Sequence, residues 1–158
     1  MPTVFKGRSH IVLERMPSVE YDTSNGGNMS APDRIGVGID LVSVARIESI
    51  LDRWGERFLN RVFTRAEVDY CTGRHGSARS LAARFAAKEA FIKAVSAHSG
   101  GGIRYRDVEV VVGSDGTPKL RPHRTAQTAL DGLCASLSLS HEQDVAVAIV
   151  ITSPEVTG

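Results

Sequence analysis

The chain has 158 residues, enough for about one domain with a buried core, and its 42% hydrophobic and 23% charged residues are typical of a soluble globular protein. The formal net charge of +1 excludes a global field that would draw the molecule to nucleic acid or to a membrane surface. Cys71 and Cys134 lack metal-ligand spacing, and no apolar run is long enough for a membrane span or a signal peptide. We therefore expect a cytoplasmic protein.

The first 34 residues differ in composition from the rest of the chain. Residues 21–33 are rich in Ser, Asn, Gly and Asp, and such a segment cannot bury enough apolar surface to order itself. We predict a flexible N-terminal extension over residues 1–34, in which Met29 offers an alternative start. A compact domain should follow over residues 35–152, with a C-terminal tail over residues 153–158.

The compact domain opens with a β-strand, because residues 35–42 alternate with a period of two. One face of this strand carries only Gly36, Gly38 and Asp40. The other face is aliphatic and consists of Ile35, Val37, Ile39 and Leu41. The pattern places a carboxylate at the end of a strand, beside a space without side chains.

Three helices are predicted next. Ser43 can cap the first, whose buried stripe consists of Val44, Ile47, Leu51 and Trp54. Thr64 and Glu67 form a capping-box pattern for the second, which should end near Thr72. The longest helix is predicted over residues 77–97 and is ended by a glycine-rich loop.

Two hairpins follow the helices. Strands are predicted over residues 108–112 and 119–121 around a turn-forming segment, and again over residues 133–141 and 145–152. A short helix over residues 124–132 should separate them. The pattern predicts an α+β fold in which an antiparallel sheet packs on one long helix.

The long helix contains a candidate site. Glu89 and Lys93 share one side with alanines, which leaves room around both charged groups. An ordinary i,i+4 ion pair is the simpler interpretation, but a solvated helix face is normally filled with longer polar side chains. If the fold brings Asp40 to Glu89, the two carboxylates supply the oxygen ligands that Mg²⁺ prefers.

Arginines follow the first predicted helix at a spacing that defines one face. This face is formed by Arg46, Ile50, Arg53 and Arg57, and Arg61 continues it. A solvated face is the alternative, but the exposed isoleucine favours a docking surface for an acidic, amphipathic partner helix. Nucleic acid is disfavoured, because aromatic residues are not interleaved.

Two further features are weaker signals. His141 ends a predicted strand, where a single histidine is more often structural than ligand-binding. The glycines after Ser99 could suggest a phosphate loop, but no helix N-terminus follows them. A helix C-cap and loop is the simpler interpretation.

Four sequence blocks, in this order, resemble the holo-acyl-carrier-protein synthase family of 4'-phosphopantetheinyl transferases. The blocks are Gly36–Asp40, Phe58–Glu67, Arg84–Ala90 with Lys93, and Ser138–His141. The resemblance extends from Ile35 to Thr152 and implies the fold of that family. The N-terminal extension and the long loop after the third helix depart from the family pattern.

The resemblance also implies functional residues. Asp40 and Glu89 correspond to magnesium ligands, and Lys93 corresponds to a lysine near the pyrophosphate of coenzyme A. The coenzyme A site would be lined by Arg84, Lys88 and His141. The carrier-docking surface would consist of Arg46, Ile50, Arg53, Arg57, Phe58 and Arg61. A homotrimer with sites between neighbouring subunits is implied as well.

The expected reaction is Mg²⁺-dependent transfer of 4'-phosphopantetheine from coenzyme A to a serine of an apo-acyl carrier protein. Its products would be holo-carrier protein and adenosine 3',5'-bisphosphate, with Asp40, Glu89 and Lys93 as the catalytic residues. Either Asp40 or a metal-bound water would accept the serine proton. Fatty-acid, polyketide and nonribosomal peptide carriers remain alternative substrates, with fatty acid biosynthesis as the working assignment. The alternative functions are a non-catalytic module that binds coenzyme A or a carrier, and a basic-helix nucleic-acid binder.

Overall fold

The structure, a computed structural model, describes residues 35–73, 76–96 and 102–155. The predicted extension over residues 1–34 and most of the glycine-rich loop lie outside these ranges. In chain order the elements are β1 (Gly36–Ser43), α1 (Val44–Trp54), α2 (Glu56–Val62), α3 (Arg65–Thr72), α4 (Ser77–Ser96), a 3-10 helix (Tyr105–Asp107), β2 (Val108–Val112), β3 (Pro118–Pro122), α5 (Arg124–Ala129), β4 (Leu133–Glu142) and β5 (Val145–Pro154).

The strands form two antiparallel sheets. The larger has the order β1-β5-β4, and β2 and β3 form a separate hairpin. Asp40 pairs with Ala148, so the start and the end of the compact domain lie side by side. The strands and the long helix give the α+β fold that the periodicity predicts.

Helix α4 packs on the glycine face of β1. Ala90 and Ala94 are fully buried in this contact. A Cβ atom added at Gly38 would lie 1.9 Å from the carbonyl oxygen of Ala90. Only glycine therefore permits this approach of strand to helix. The space without side chains predicted beside Asp40 is filled, next to Gly38, by the backbone of α4.

The opposite face of the larger sheet is apolar and exposed in the single chain. Val37 is 63% exposed, Ile39 56% and Leu41 66%. On β5 these residues pair with Ile151, Ile149 and Val147. A contiguous apolar sheet face of this kind usually marks an interface.

The first helical segment differs from its prediction. Helix α1 ends at Trp54, because Gly55 has a φ of 45° and its N–H caps the carbonyl of Leu51. A separate helix, α2, follows, which the sequence pattern did not indicate. Trp54 is 49% exposed, so its predicted place in the buried stripe is wrong.

The remaining elements are close to their predicted bounds. Helix α5 ends at Ala129, three residues before the predicted end, while β3, β4 and β5 are each slightly longer than predicted. The capping box at the start of α3 is present, with Thr64 and Glu67 bonded reciprocally. No helix in the described part of the chain has the length and apolarity needed to cross a bilayer.

Candidate active site

Asp40 and Lys93 meet where β1 lies against α4. The Lys93 ammonium donates to Oδ1 of Asp40 at 2.8 Å and to the carbonyl oxygen of Ile39 at 3.0 Å. The Asp40 side chain is 18% exposed and that of Lys93 is 50% exposed, so the pair opens to solvent on the lysine side. Lys93 thus pairs with Asp40 across the fold and not with Glu89, the i,i+4 partner of the simpler interpretation.

Glu89 lies one helical turn before Lys93 and is held by a residue from the 3-10 helix. The hydroxyl of Tyr105 donates to Oε1 of Glu89 at 2.5 Å. The Tyr105 ring stacks on Phe85, with ring centroids 5.6 Å apart. Burial, the bond to Glu89 and the negative charges of Glu89 and Asp40 together raise the pKa of Tyr105 to about 12. The Tyr105 hydroxyl thus stays protonated and remains a hydrogen-bond donor at neutral pH, and both carboxylates contribute to its raised pKa.

The two carboxylates have the donor chemistry of a magnesium site. In the described ranges, Oδ2 of Asp40 and Oε2 of Glu89 have no hydrogen-bond donor, so each acid keeps one oxygen available. No group of three or more His, Cys, Asp or Glu side chains in those ranges is arranged to hold a metal. Mg²⁺ retains several waters and binds substrate phosphates, so two protein carboxylates fit it.

Lys88 requires a correction. Its side chain is fully buried, and its ammonium donates to Glu67 at 2.9 Å, to the carbonyl of Tyr105 at 2.9 Å and to the carbonyl of Val108. All three ammonium protons are therefore used inside the core. The ammonium cannot contact coenzyme A in this structure, and the prediction that it does is wrong. Lys88 instead fixes the backbone of Tyr105, whose hydroxyl holds Glu89.

Glu67, the partner of Lys88, is buried and accepts several hydrogen bonds. Glu67 accepts from the N–H of Thr64 at 2.8 Å and from the N–H of Val110 at 3.0 Å, besides the lysine. Burial lowers the pKa of Lys88, while the charge and hydrogen bond of Glu67 oppose that shift. The pair ties α3, α4 and β2 together, which fixes the position of the 3-10 helix.

Arg84 and His141 come together in a pocket of about 200 Å³. Arg84 is 7% exposed, and its guanidinium lies 4.4 Å from the centre of the Tyr70 ring. Its Nε atom is buried without a hydrogen-bond partner in the described part of the chain, although Nη1 donates to the carbonyl oxygen of Ser80. A buried, incompletely bonded guanidinium beside a histidine suits an anionic ligand.

This pocket and the Asp40–Glu89 cluster lie on different sides of α4. Arg84 and Glu89 are five residues apart, which places them about 140° apart around the helix. A single chain therefore does not bring all the predicted site residues together.

Part of the predicted docking surface forms a groove of about 530 Å³. Its lining consists of Ile50, Trp54, Arg57, Phe58 and Arg61. The predicted continuous helix face is broken at Gly55, yet α1 and α2 together still line one groove. Arg46 and Arg53 are exposed outside it, and the Arg53 guanidinium lies 5.3 Å from the centre of the Trp54 ring.

Three residues with a place in these sites are not predicted as site residues by the sequence. Tyr105 is separated from Glu89 by a loop, so no local pattern connects them. Glu67 appears in the sequence only as a capping residue. Trp54 fits the stripe of buried residues predicted for the first helix. Only the following Gly55 indicates that the helix ends at Trp54.

Comparisons with known proteins agree with this architecture. The family model for the 4'-phosphopantetheinyl transferase superfamily matches residues 36–150. A holo-[acyl-carrier-protein] synthase of Koribacter versatilis is 44% identical over 120 residues, covering 74% of this chain and 96% of that protein. One of Carboxydothermus hydrogenoformans is 45% identical over 117 residues, covering 72% and 94%.

Solved structures show the same fold. The holo-(acyl-carrier-protein) synthase of Bacillus anthracis in complex with CoA (3',5'-ADP) has a TM-score of 0.63 and 34% identity, over 76% of this chain and 96% of that one. The ACPS–CoA complex of Chronobacterium ammoniagenes has a TM-score of 0.67 and 30% identity, over 77% and 98%. The predicted fold class is thereby confirmed, and the chain belongs to the 4'-phosphopantetheinyl transferase superfamily, among the holo-[acyl-carrier-protein] synthases.

Proposed function

We propose that this protein transfers 4'-phosphopantetheine from coenzyme A to a serine of an apo-acyl carrier protein. The observation that carries the proposal is the arrangement of Asp40, Glu89 and Lys93. Two carboxylates and one half-exposed ammonium lie where β1 meets α4 in a chain related to synthases of this activity. A module that only binds coenzyme A would not need this charge arrangement.

Asp40 and Glu89 would hold Mg²⁺, each through its free carboxylate oxygen. Mg²⁺ bound there would neutralise charge on the pyrophosphate of coenzyme A. The Tyr105 hydroxyl keeps Glu89 in one orientation, and Lys93 keeps Asp40 in one orientation. A fixed carboxylate pair reduces the reorganisation needed when the substrate binds.

The transfer itself forms one P–O bond and breaks another. The carrier serine oxygen attacks the phosphorus that bears pantetheine, and adenosine 3',5'-bisphosphate leaves with the electrons of the broken bond. Asp40 or a water molecule accepts the serine proton. The Lys93 ammonium supplies positive charge for the leaving phosphate, which its 50% exposure permits.

Arg84 and His141 of one subunit would bind the coenzyme A that reacts at Asp40 and Glu89 of a neighbouring subunit. A single chain separates them from Asp40 and Glu89, so a complete site needs a second copy. The exposed aliphatic sheet face, which includes Val37, supports assembly, and we propose a homotrimer. We expect a Val37→Asp variant to remain monomeric by light scattering and to lose transfer activity. A trimeric, active variant would contradict this assembly.

The groove of α1 and α2 would dock the acidic carrier. Its apolar floor and its arginines suit an amphipathic acidic helix. We also propose a cytoplasmic location, because a sequence with only two cysteines, Cys71 and Cys134, suits a reducing compartment better than a disulfide scaffold does. Fatty-acid carriers are the first substrates to test, followed by polyketide and nonribosomal peptide carriers.

The proposal is tested by intact mass spectrometry of apo-carrier incubated with coenzyme A, Mg²⁺ and the protein. We expect the carrier to gain the mass of one phosphopantetheine arm. Asp40→Asn and Glu89→Gln should abolish this gain, whereas the exposed control Asp69→Asn should not. Binding of coenzyme A without any mass gain, across all three carrier classes, would support the non-catalytic alternative.

A further inference from the structure

Two further grooves continue the docking groove beyond Arg61. The middle groove, of about 420 Å³, is lined by Arg61, Ile103, Arg104, Tyr105 and Arg106. It therefore shares Arg61 with the groove of α1 and α2. Its wall includes Tyr105, which is bonded to Glu89. The middle groove thus passes beside the proposed reaction centre.

The far groove, of about 490 Å³, adjoins the middle one through Arg104 and Arg106. It extends to His123, Arg124 and Gln127 at the start of α5. The three grooves are adjacent, because the middle groove shares Arg61 with the docking groove and shares Arg104 and Arg106 with the far groove. The middle and far grooves are named here the arginine tract, after Arg104, Arg106 and Arg124.

The arginine tract carries uncompensated positive charge. Arg104, Arg106 and Arg124 are exposed, and none forms an ion pair with a residue in the part of the chain that the structure describes. The acid in the lining, Asp107, is 3% exposed and accepts from the Thr125 hydroxyl at 2.6 Å. It is thus occupied within the fold and does not neutralise the surface.

Two more features distinguish the tract from an ordinary solvated surface. Arg124 has a φ of 41°, a left-handed conformation that costs a non-glycine residue about 1 kcal/mol or more and often marks a functional position. His123 lies 3.0 Å from Oε2 of the buried Glu109, which fixes the histidine at the groove edge. The fold thus holds both residues in place.

We propose that the arginine tract binds a second acidic segment of the carrier protein. One acidic segment would occupy the groove of α1 and α2, and another would occupy the tract beyond Tyr105. The modified serine would lie between them, opposite Glu89. The inference rests on the proposed function and specifies its substrate as a carrier with acidic residues on both sides of that serine.

The test uses the double variant Arg104→Glu/Arg106→Glu in the full-length protein. Reversing two charges on the carrier path should raise the KM for carrier about tenfold or more at low salt and leave the KM for coenzyme A unchanged. The control Arg65→Glu/Lys119→Glu makes the same change in charge on exposed residues that line neither the docking groove nor the tract. We expect the control to retain the wild-type KM for carrier. Equal thermal midpoints would exclude unfolding as the cause.

A carrier variant gives the second arm of the test. Replacing acidic carrier residues on one side of the serine by lysine should restore much of the affinity lost in the double variant. An unchanged KM for carrier in the double variant would overturn the proposal. A raised KM for coenzyme A alone would assign the tract to the coenzyme instead. Failure of the wild-type protein to modify any carrier would refute the proposed function itself, which separates the two outcomes.

Discussion

Replacement of Gly38 by alanine should damage fold and site together. The added Cβ would lie 1.9 Å from the carbonyl oxygen of Ala90 and 2.7 Å from the N atom of Ala94, both in the backbone of α4. Restoring an ordinary contact of 3.4 Å requires β1 and α4 to separate by about 1.5 Å. A helix backbone cannot rotate away as a flexible side chain can, so the whole contact must open.

This separation acts on stability and on transfer by different routes. Overpacking of a core costs about 1–3 kcal/mol, which urea unfolding measures directly. Asp40 lies two residues from Gly38, and its 2.8 Å contact with Lys93 spans the same junction. A displacement of about 1 Å at a reacting centre can lower the rate about 100-fold. We expect a loss of this order in the rate of carrier modification, measured by intact mass.

Gly73→Ala is the matched control, because its added Cβ would lie 3.4 Å from the nearest atom, the carbonyl oxygen of Asp69, and its φ is −73°. It should leave the transfer rate unchanged and alter stability by less than about 1 kcal/mol. A Gly38→Ala variant that is as stable and as active as the wild type would refute the close packing of β1 on α4 as the basis of the site.

Three further predictions follow from the buried polar contacts. Tyr105→Phe removes the hydrogen-bond donor to Glu89 and should weaken Mg²⁺ binding about tenfold, measured by calorimetry with coenzyme A present. An unchanged affinity for Mg²⁺ would contradict the orienting role of Tyr105. Lys88→Met should lower the free energy of unfolding, measured in urea, by about 3–5 kcal/mol, because it leaves the Glu67 carboxylate buried and unpaired. A second change, Glu67→Gln, should recover part of this loss. Burial opposes ionisation of Glu109, but the hydrogen bonds from neighbouring side chains prevail and lower its pKa from the ordinary value of 4.5. The ionised Glu109 carboxylate therefore stabilises the fold above about pH 4.5. This contribution is lost as the pH falls through the lowered pKa. Glu109→Gln should therefore be less stable than wild type at pH 7, with a difference that shrinks as the pH falls below about 4.5, whereas a difference that grows on acidification would contradict the assignment.

Local patterns predicted most of the elements. The capping box of Thr64 and Glu67 forms as expected, because both bonds lie within one helical turn. The alternation of β1 also predicted which residues share a face. It could not predict which face is buried, since a strand of aliphatic residues on one side normally buries that side. Here Gly38 permits a helix backbone to cover the other side, and the aliphatic face is left exposed.

The contacts that define the site are long-range and could not be read from spacing. Asp40 and Lys93 are 53 residues apart, and their meeting depends on the packing of α4 on β1. Lys88 sits on the helix beside Glu89, where a pattern cannot distinguish a ligand from a core residue. Its role became clear only from Glu67, which is 21 residues away in the chain.

The most direct test of the metal assignment is the position of a divalent cation in a crystal of the protein grown with coenzyme A and Mn²⁺ in place of Mg²⁺. We expect one anomalous difference peak, coordinated by a carboxylate oxygen of Asp40 and a carboxylate oxygen of Glu89. A peak elsewhere, or one that contacts neither acid, would contradict the proposed catalytic centre.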